Sequence, residues 1–359
     1  MKPQRALRFT KEQRGEVLRV PSCPWWLTIS FALPLMIAIV VTLACNSSIN
    51  VAQIVDSQPA SPASNAAPAE TAPTVVNAAD HSPLPHIDSK RAFQYTREVT
   101  AFGERYIGSE NHKKLERYIV EHLKGDQVED DTFTADTIEG KFPVHNIIAK
   151  FPGKKDGIIA ILGHYDTNYP LRGSGYVGAN DGGSSTAILL EFANQLRSRA
   201  AEKRDGYSVW LVWTDGEEAV KSWSATDSLY GTRHLVEKWE KDGTLKKIKA
   251  LMVMDMIAAD DVNILRDDNS TPWLLDLIQK AAESGGYQSH FDGIQTPMED
   301  DHLPFVKRGV PSADVIGMPY GYNDVFHHTP QDTMDKLSAK SLEIVGNTIL
   351  ETVHLLDQR

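Results

Sequence analysis

The stretch Gly157-Ile158-Ile159-Ala160-Ile161-Leu162-Gly163-His164-Tyr165-Asp166 decides how this chain is read. Its short apolar run, 157–162, does not alternate with polar residues. It predicts a buried strand covered on both faces. A histidine and an aspartate follow at once. Reading outward, the pattern repeats. A predicted strand at 208–213 runs into Thr214-Asp215-Gly216-Glu217-Glu218. Another at 248–254 ends on Asp255, and a short one at 313–316 is followed by a loop with Phe326-His327-His328-Thr329. Further strands are predicted at 128–134 and 144–151. Helices are predicted at 113–123, 184–197, 231–241, 271–284 and 339–356. Strands alternating with helices imply an α/β fold: a mixed, largely parallel central sheet flanked by helices. In such sheets, sites form beyond the carboxyl ends of the strands.

Each residue at that edge has an ordinary reading. Asp181, in Gly178-Ala179-Asn180-Asp181-Gly182-Gly183, stands before a helix and would by default be an N-cap. Glu217 and Glu218 would be solvated carboxylates, and His164 a half-buried imidazole. Asp255 is harder to dismiss, because an acid ending Leu251-Met252-Val253-Met254 needs a partner. Jointly, the ordinary readings require five independent accidents at one sheet edge. The two cysteines, Cys23 and Cys45, both lie in the first 45 residues. Any metal in the body must therefore use His, Asp and Glu, a donor set that suits zinc. In an extended chain, Glu217 and Glu218 would point opposite ways. One could hold metal while the other serves as general base.

The net charge of −11 is unevenly spread. In residues 1–45, six basic side chains stand against Glu12 and Glu16, leaving the rest of the chain at −15. An acidic body repels phosphate backbones, so nucleic-acid binding is not expected. Residues 25–44 hold no charge and are long enough to cross a bilayer. The basic segment 1–24 before them would stay cytoplasmic and the body would lie outside. Leu43-Ala44-Cys45 is similar to the end of a bacterial lipobox, with Thr42 where an aliphatic residue is usual. A retained anchor and a lipidated Cys45 both keep the protein on a membrane. Residues 46–87 contain six prolines, nine alanines and no Lys or Arg. Such a segment buries too little apolar surface to fold and reads as a tether. The body is expected to run from 88 to 359 as a monomer.

His164-x-Asp166, Asn180-Asp181-Gly182-Gly183, Asp215-Gly216-Glu217-Glu218, Met254-Asp255-Met256 and His328-Thr329-Pro330-x-Asp332-Thr333 resemble the zinc aminopeptidases of the M28 type. Several stretches resemble one branch of that superfamily, the animal-type glutaminyl cyclases. They are Glu104-Arg105-Tyr106-Ile107-Gly108-Ser109, Trp223-Ser224, Asp227 through Leu235, and Glu299-Asp300-Asp301-His302-Leu303-Pro304-Phe305 with Arg308-Gly309-Val310-Pro311. The resemblance covers about Asp88 to the end of the sequence. The part from Trp223 to Leu235 is its most specific, since a generic zinc site does not need it.

The resemblance implies one zinc on Asp181, Glu218 and His328, with Glu217 as general acid/base. Asp255 and Asp300 would form a hydrogen-bond network with it. Trp223 and His327 would contact the substrate, a peptide or protein N-terminus. Three departures stand out. The cysteine pair of the animal enzymes is represented by Gly163 and Thr186. The tryptophan that usually precedes the His-Thr pair is His327. The pocket histidine after Gly-Val-Pro is Asp314. The implied reaction is cyclisation of N-terminal Gln to pyroglutamate with release of ammonia. The rival implied by the same superfamily is a two-zinc aminopeptidase. There Asp181 bridges a first metal on Glu218 and His328 to a second on His164 and Asp255.

Overall fold

In this computed structural model the described residues are 86–198 and 204–359. The expected anchor, the lipobox-like stretch and most of the tether lie outside them. Among the described residues no helix is long and apolar enough to cross a membrane.

The central sheet has six strands: β1 (Gln127–Thr137), β2 (Gly140–Phe151), β3 (Gly153–His164), β4 (Arg204–Thr214), β5 (Ile248–Asp255) and, last in sequence, β8 (Ser312–Ile316). Their order is β1-β2-β4-β3-β5-β8. Strands β4, β3, β5 and β8 run parallel, whereas β2 pairs antiparallel with both β1 and β4. A separate two-stranded sheet joins β6 (Arg266–Asp267) to β7 (Gln295–Thr296). The helices are α1 (Ser89–Thr100), α2 (Glu110–His122), α3 (Gly183–Ser198), α4 (Tyr230–Lys241), α5 (Pro272–Gly285), the short α6 (Leu303–Val306) and α7 (Ala339–Asp357).

The unbroken apolar run in β3 has a direct cause: the pleat sends alternate residues into two cores. Ile159 and Ile161 face one core with Met252 and Met254 of β5, covered by α1, α3, α5 and α7. Ile158, Ala160 and Leu162 face the other with Leu251 and Val253, covered by Leu235, Val236 and Trp239 of α4 and by Phe305. Trp239 is 1% exposed, and truncating such a residue to alanine costs about 3–5 kcal/mol.

Strands β1 and β2 extend beyond their predicted ends. Their outer halves form a hairpin in which Phe133, Ala135, Phe142 and Val144 pack with Ile107, Val220 and Tyr230 in a small separate cluster. Helix α2 starts three residues earlier than predicted, because Ser109 accepts a hydrogen bond from the His112 amide and caps it. Helix α1 was not expected. Asp88 caps it, and Ala92, Thr96 and Val99 are its buried face. Ile87 is already in the core, its amide donating to Asn347 Oδ1 of α7 at 2.9 Å. The folded body therefore includes at least one residue assigned above to the tether.

Since β3, β4, β5 and β8 are parallel, their carboxyl ends share one edge. His164, the turn after Thr214, and Asp255 reach that edge from three neighbouring strands.

Candidate active site

His164 ends β3 and is 2% exposed. Its Nε2 lies 3.0 Å from Asp181 Oδ1 and 3.3 Å from Asp255 Oδ1. Its Nδ1 faces Asp166 Oδ1 at 3.6 Å and Glu217 Oε2 at 4.0 Å. Asp181 and Asp255 thus meet one imidazole, the three residues being brought in by the loop before α3, β5 and β3.

Asp181 is not an N-cap of α3. Its Oδ2 accepts the Tyr176 hydroxyl and lies 3.3 Å from His328 Nε2. The loop holding it is fixed from outside. Asp332 accepts the amides of Asn180 and Asp181 on its two carboxylate oxygens, at 2.8 and 3.1 Å. Gly182 has φ 69°, and a Cβ there would meet Asp166 O at 2.7 Å, so a larger residue would strain this loop. Arg105 is fully buried and donates to the carbonyls of Tyr165, Val177, Gly178 and Asp181.

The Glu217-Glu218 pair leaves β4 in a turn rather than the extended chain expected. Gly216, at φ 63°, takes the chain out of the extended conformation. The Asp166 carboxylate then accepts the amides of Glu217 at 3.2 Å and Glu218 at 3.3 Å. The two side chains still separate. Glu218 Oε1 lies 3.2 Å from His328 Nε2, and its Oε2 accepts Asn168 Nδ2 at 2.7 Å. Glu217 turns instead toward His164.

The stretch from Trp223 to Leu235 has a structural task here. Asp227 accepts the amides of Val220, Lys221 and Ser222. The amides of Leu229 and Tyr230 donate to the carbonyls of Glu217 and Gly216, each at 2.7 Å. This stretch folds the segment that carries Glu217 and Glu218. Trp223 itself is 38% exposed, donates to Glu299 Oε2 at 3.1 Å, and lines a cavity of about 240 Å³ with Leu229, Arg233, Leu303 and Pro304.

Electrostatics divide the acids. Burial pushes Glu217 well above the usual carboxylate range; His164 opposes this, while Glu218, Asp300 and Asp301 reinforce it. Burial likewise raises Asp300, helped by the charges of Asp255 and Asp301. For Asp181 burial acts upward too, but hydrogen bonds and charge from His164 and His328 hold its carboxyl well below that range. Asp301 is tied to the hydroxyls of Thr214 and Thr232 at 2.5 and 2.6 Å. Asp314, in the place of the expected histidine, is fully buried with neither carboxylate oxygen hydrogen-bonded. Burial and the charge of Asp300 push it well up.

The donor set fits a zinc ion. His328 Nε2 stands within 3.3 Å of oxygens from both Asp181 and Glu218. Glu218 Oε1 and His164 Nδ1 are buried without a hydrogen-bond partner. Ligand atoms of Asp181, His327 and His328 lie within 4.8 Å of one another, as do those of His164, Asp181 and Asp255. Tyr176, Asn168, Arg105 and Asp332 are further residues of the site that motif reading did not single out. Arg105 and Asp332 lie inside quoted motifs; Tyr176 and Asn168 carry no local signal.

The profile of peptidase family M28 matches residues 146–353. A glutaminyl-peptide cyclotransferase of Drosophila melanogaster is 32% identical over 252 residues, covering 64% of this chain and 70% of that protein. The crystal structure of an Acidobacteriales bacterium glutaminyl cyclase is 48% identical, with a TM-score of 0.76, covering 81% of this chain and all of that one. The Porphyromonas gingivalis glutaminyl cyclase is 25% identical with a TM-score of 0.67, covering 75% of this chain and 98% of that one. Strand edge, motif spacing and relatives agree: the chain belongs to peptidase family M28, in the branch of the glutaminyl-peptide cyclotransferases.

Proposed function

We propose that this protein is a glutaminyl cyclase that converts an N-terminal glutamine of peptides to pyroglutamate and releases ammonia. The observation that carries this reading is the separation of the two adjacent glutamates. Glu218 turns to His328 beside Asp181, and Glu217 turns to His164 and the buried acids. The 48% identity to a glutaminyl cyclase supports it.

Asp181, Glu218 and His328 would hold one zinc, which when bound polarises the amide carbonyl of the substrate as a Lewis acid. The reaction joins the substrate's own α-amine nitrogen to its side-chain amide carbon and breaks the bond from that carbon to the amide nitrogen. Orientation of two groups in one residue supplies an effective molarity on the order of 10⁵ M or more. Glu217 takes a proton from the attacking amine and returns it to the departing nitrogen, which leaves as ammonia. A carboxyl whose proton affinity is raised toward neutrality suits both halves of that task. His164 is held by Asp181 and Asp255, and Asp300 adds negative charge near Glu217. The resemblance gives Trp223 the task of packing its indole face on the glutaminyl stem.

One observation favours the two-zinc aminopeptidase as a second reading: His164, Asp181 and Asp255 form a second candidate ligand group sharing Asp181. The same incubation separates the two. The purified protein is given a Gln-initiated peptide and a leucine anilide. Ammonia without chain cleavage supports the cyclase; free leucine supports the peptidase. The uncharged stretch 25–44 supports a membrane-tethered, extracytoplasmic enzyme.

A further inference from the structure

The loop that delivers His328 is unusually bent. Asn323, Asp324 and His328 all have left-handed backbone, at φ 55°, 63° and 50°. Asn, Asp and His enter this conformation more readily than other non-glycine residues, so three of them within six positions mark a tight bend. In this loop the bend has a visible result. Consecutive side chains of an extended chain point apart, but the rings of His327 and His328 lie side by side, with centroids 4.0 Å apart and planes tilted by 38°. Asp324 fixes the first of them. Its Oδ1 accepts the Tyr320 amide at 2.9 Å, and its Oδ2 accepts the His327 Nδ1 hydrogen at 3.0 Å. A carboxylate holding one imidazole nitrogen is the usual support of a metal-ligating histidine, because it fixes the ring and leaves the other nitrogen's lone pair for the metal. A ring nitrogen of His327, one of His328 and an oxygen of Asp181 lie within 4.8 Å of one another.

We propose that His327 is a further ligand of the zinc held by Asp181, Glu218 and His328, binding through Nε2 with Asp324 as its support. The inference rests on the zinc reading above and changes what His327 is for. In place of a wall for the substrate, the loop supplies a second imidazole. The chain would then offer the metal two oxygen and two nitrogen donors, and the substrate carbonyl would enter as a further ligand. The substrate amide must compete with His327 or add beside it. An ordinary surface ion pair between His327 and Asp324 would explain the 3.0 Å contact alone. It would not explain a bent loop that sets two histidine rings side by side with a nitrogen of each within 4.8 Å of an Asp181 oxygen.

The test is competitive titration of the metal-free full chain with zinc against a chromogenic chelator. It is run on wild type, His327→Ala, His327→Trp, Asp324→Asn and His328→Ala. Removing a residue that orients a metal ligand typically costs about 10–100-fold in affinity. Asp324→Asn is expected to weaken zinc by that amount, and both His327 variants by at least as much. X-ray absorption of the zinc-loaded protein should count two imidazoles in wild type and one in His327→Ala, whether or not the variant's stability changes. Unaltered affinity and the same imidazole count in His327→Ala, with zinc lost in His328→Ala, overturn this inference and leave the zinc reading standing. A wild-type chain that binds no zinc overturns both.

Discussion

His112 Nε2 lies 2.6 Å from Asp215 Oδ1, and both side chains are buried beneath the turn that carries Glu217 and Glu218. On its other side, His112 Nδ1 faces Glu116 Oε1 at 3.1 Å. The imidazolium donates both ways. Asp215 uses its second oxygen to accept the His145 amide at 2.8 Å. A residue of α2 is thereby tied to Asp215, which opens the segment carrying Glu217 and Glu218.

This tie predicts a pH dependence of stability. Burial opposes the charge on His112, but Asp215 and Glu116 overcome it and push the group up to about 10. In the unfolded chain the value is about 6.5. The folded state therefore binds the proton more tightly. Its contribution is complete below about pH 6.5 and is lost as pH rises through about 10. The melting temperature of wild type should fall between pH 7 and pH 10 more steeply than that of His112→Gln. Parallel profiles would remove the linkage. Breaking a buried pair from one side costs about 3–5 kcal/mol, so the variant should also melt lower throughout.

Glu217→Gln preserves volume and cannot accept a proton. A positioned general acid/base contributes about 10²–10⁴-fold. A fall of that order in kcat is expected, with one zinc per chain retained by elemental analysis. Loss of zinc instead would mean that Glu217 and Glu218 have exchanged roles.

Arg105→Lys replaces a planar fork by a point charge that cannot reach four carbonyls at once. Each buried carbonyl left without a donor costs about 1–3 kcal/mol. The carbonyls of Gly178 and Asp181 belong to the loop that positions a proposed zinc ligand. Zinc affinity and melting temperature should therefore fall together, although Arg105 itself offers no metal-ligating atom. A variant that melts early yet binds zinc as wild type does would limit Arg105 to a role in stability.

Trp223 is 38% exposed and keeps one hydrogen bond, to Glu299. Trp223→Ala should lower kcat/KM for Gln-initiated peptides while leaving zinc content and melting temperature nearly unchanged. A variant that melts several degrees early with unaltered kinetics would make Trp223 a packing residue.

Where sequence reading succeeded and where it stopped follows from range. The run Gly157–Leu162 announces a strand because both of its faces are covered, and apolarity is local information. Asp181, Glu218 and His328 were legible as motif positions, and Asp255 as an acid closing an apolar run. Helix α1 was not, since Ala92 and Thr96 are not apolar enough to mark a buried face. Only the tertiary partners of this helix, such as the ion pair of Arg91 with Glu191, define it. Asn168 and Tyr176 escaped for the same reason. Each matters through one bond to a residue whose position the fold alone decides. The turn at Gly216 was misread as extended because its φ of 63° answers to packing rather than to its neighbours in sequence.

The bidentate grip of Asp332 on the amides of Asn180 and Asp181 spans about 150 positions of sequence. It bears on how the protein is made. During synthesis, β3 and α3 emerge long before the segment that steadies the loop between them. Until residue 332 has left the ribosome, and the translocation channel if the body is exported, Asp181 has neither its brace nor His328. A growing chain therefore offers no finished metal pocket. If the proposed ligands hold zinc, it would be acquired only after residue 332 has emerged, from whatever supply exists in the compartment where folding ends.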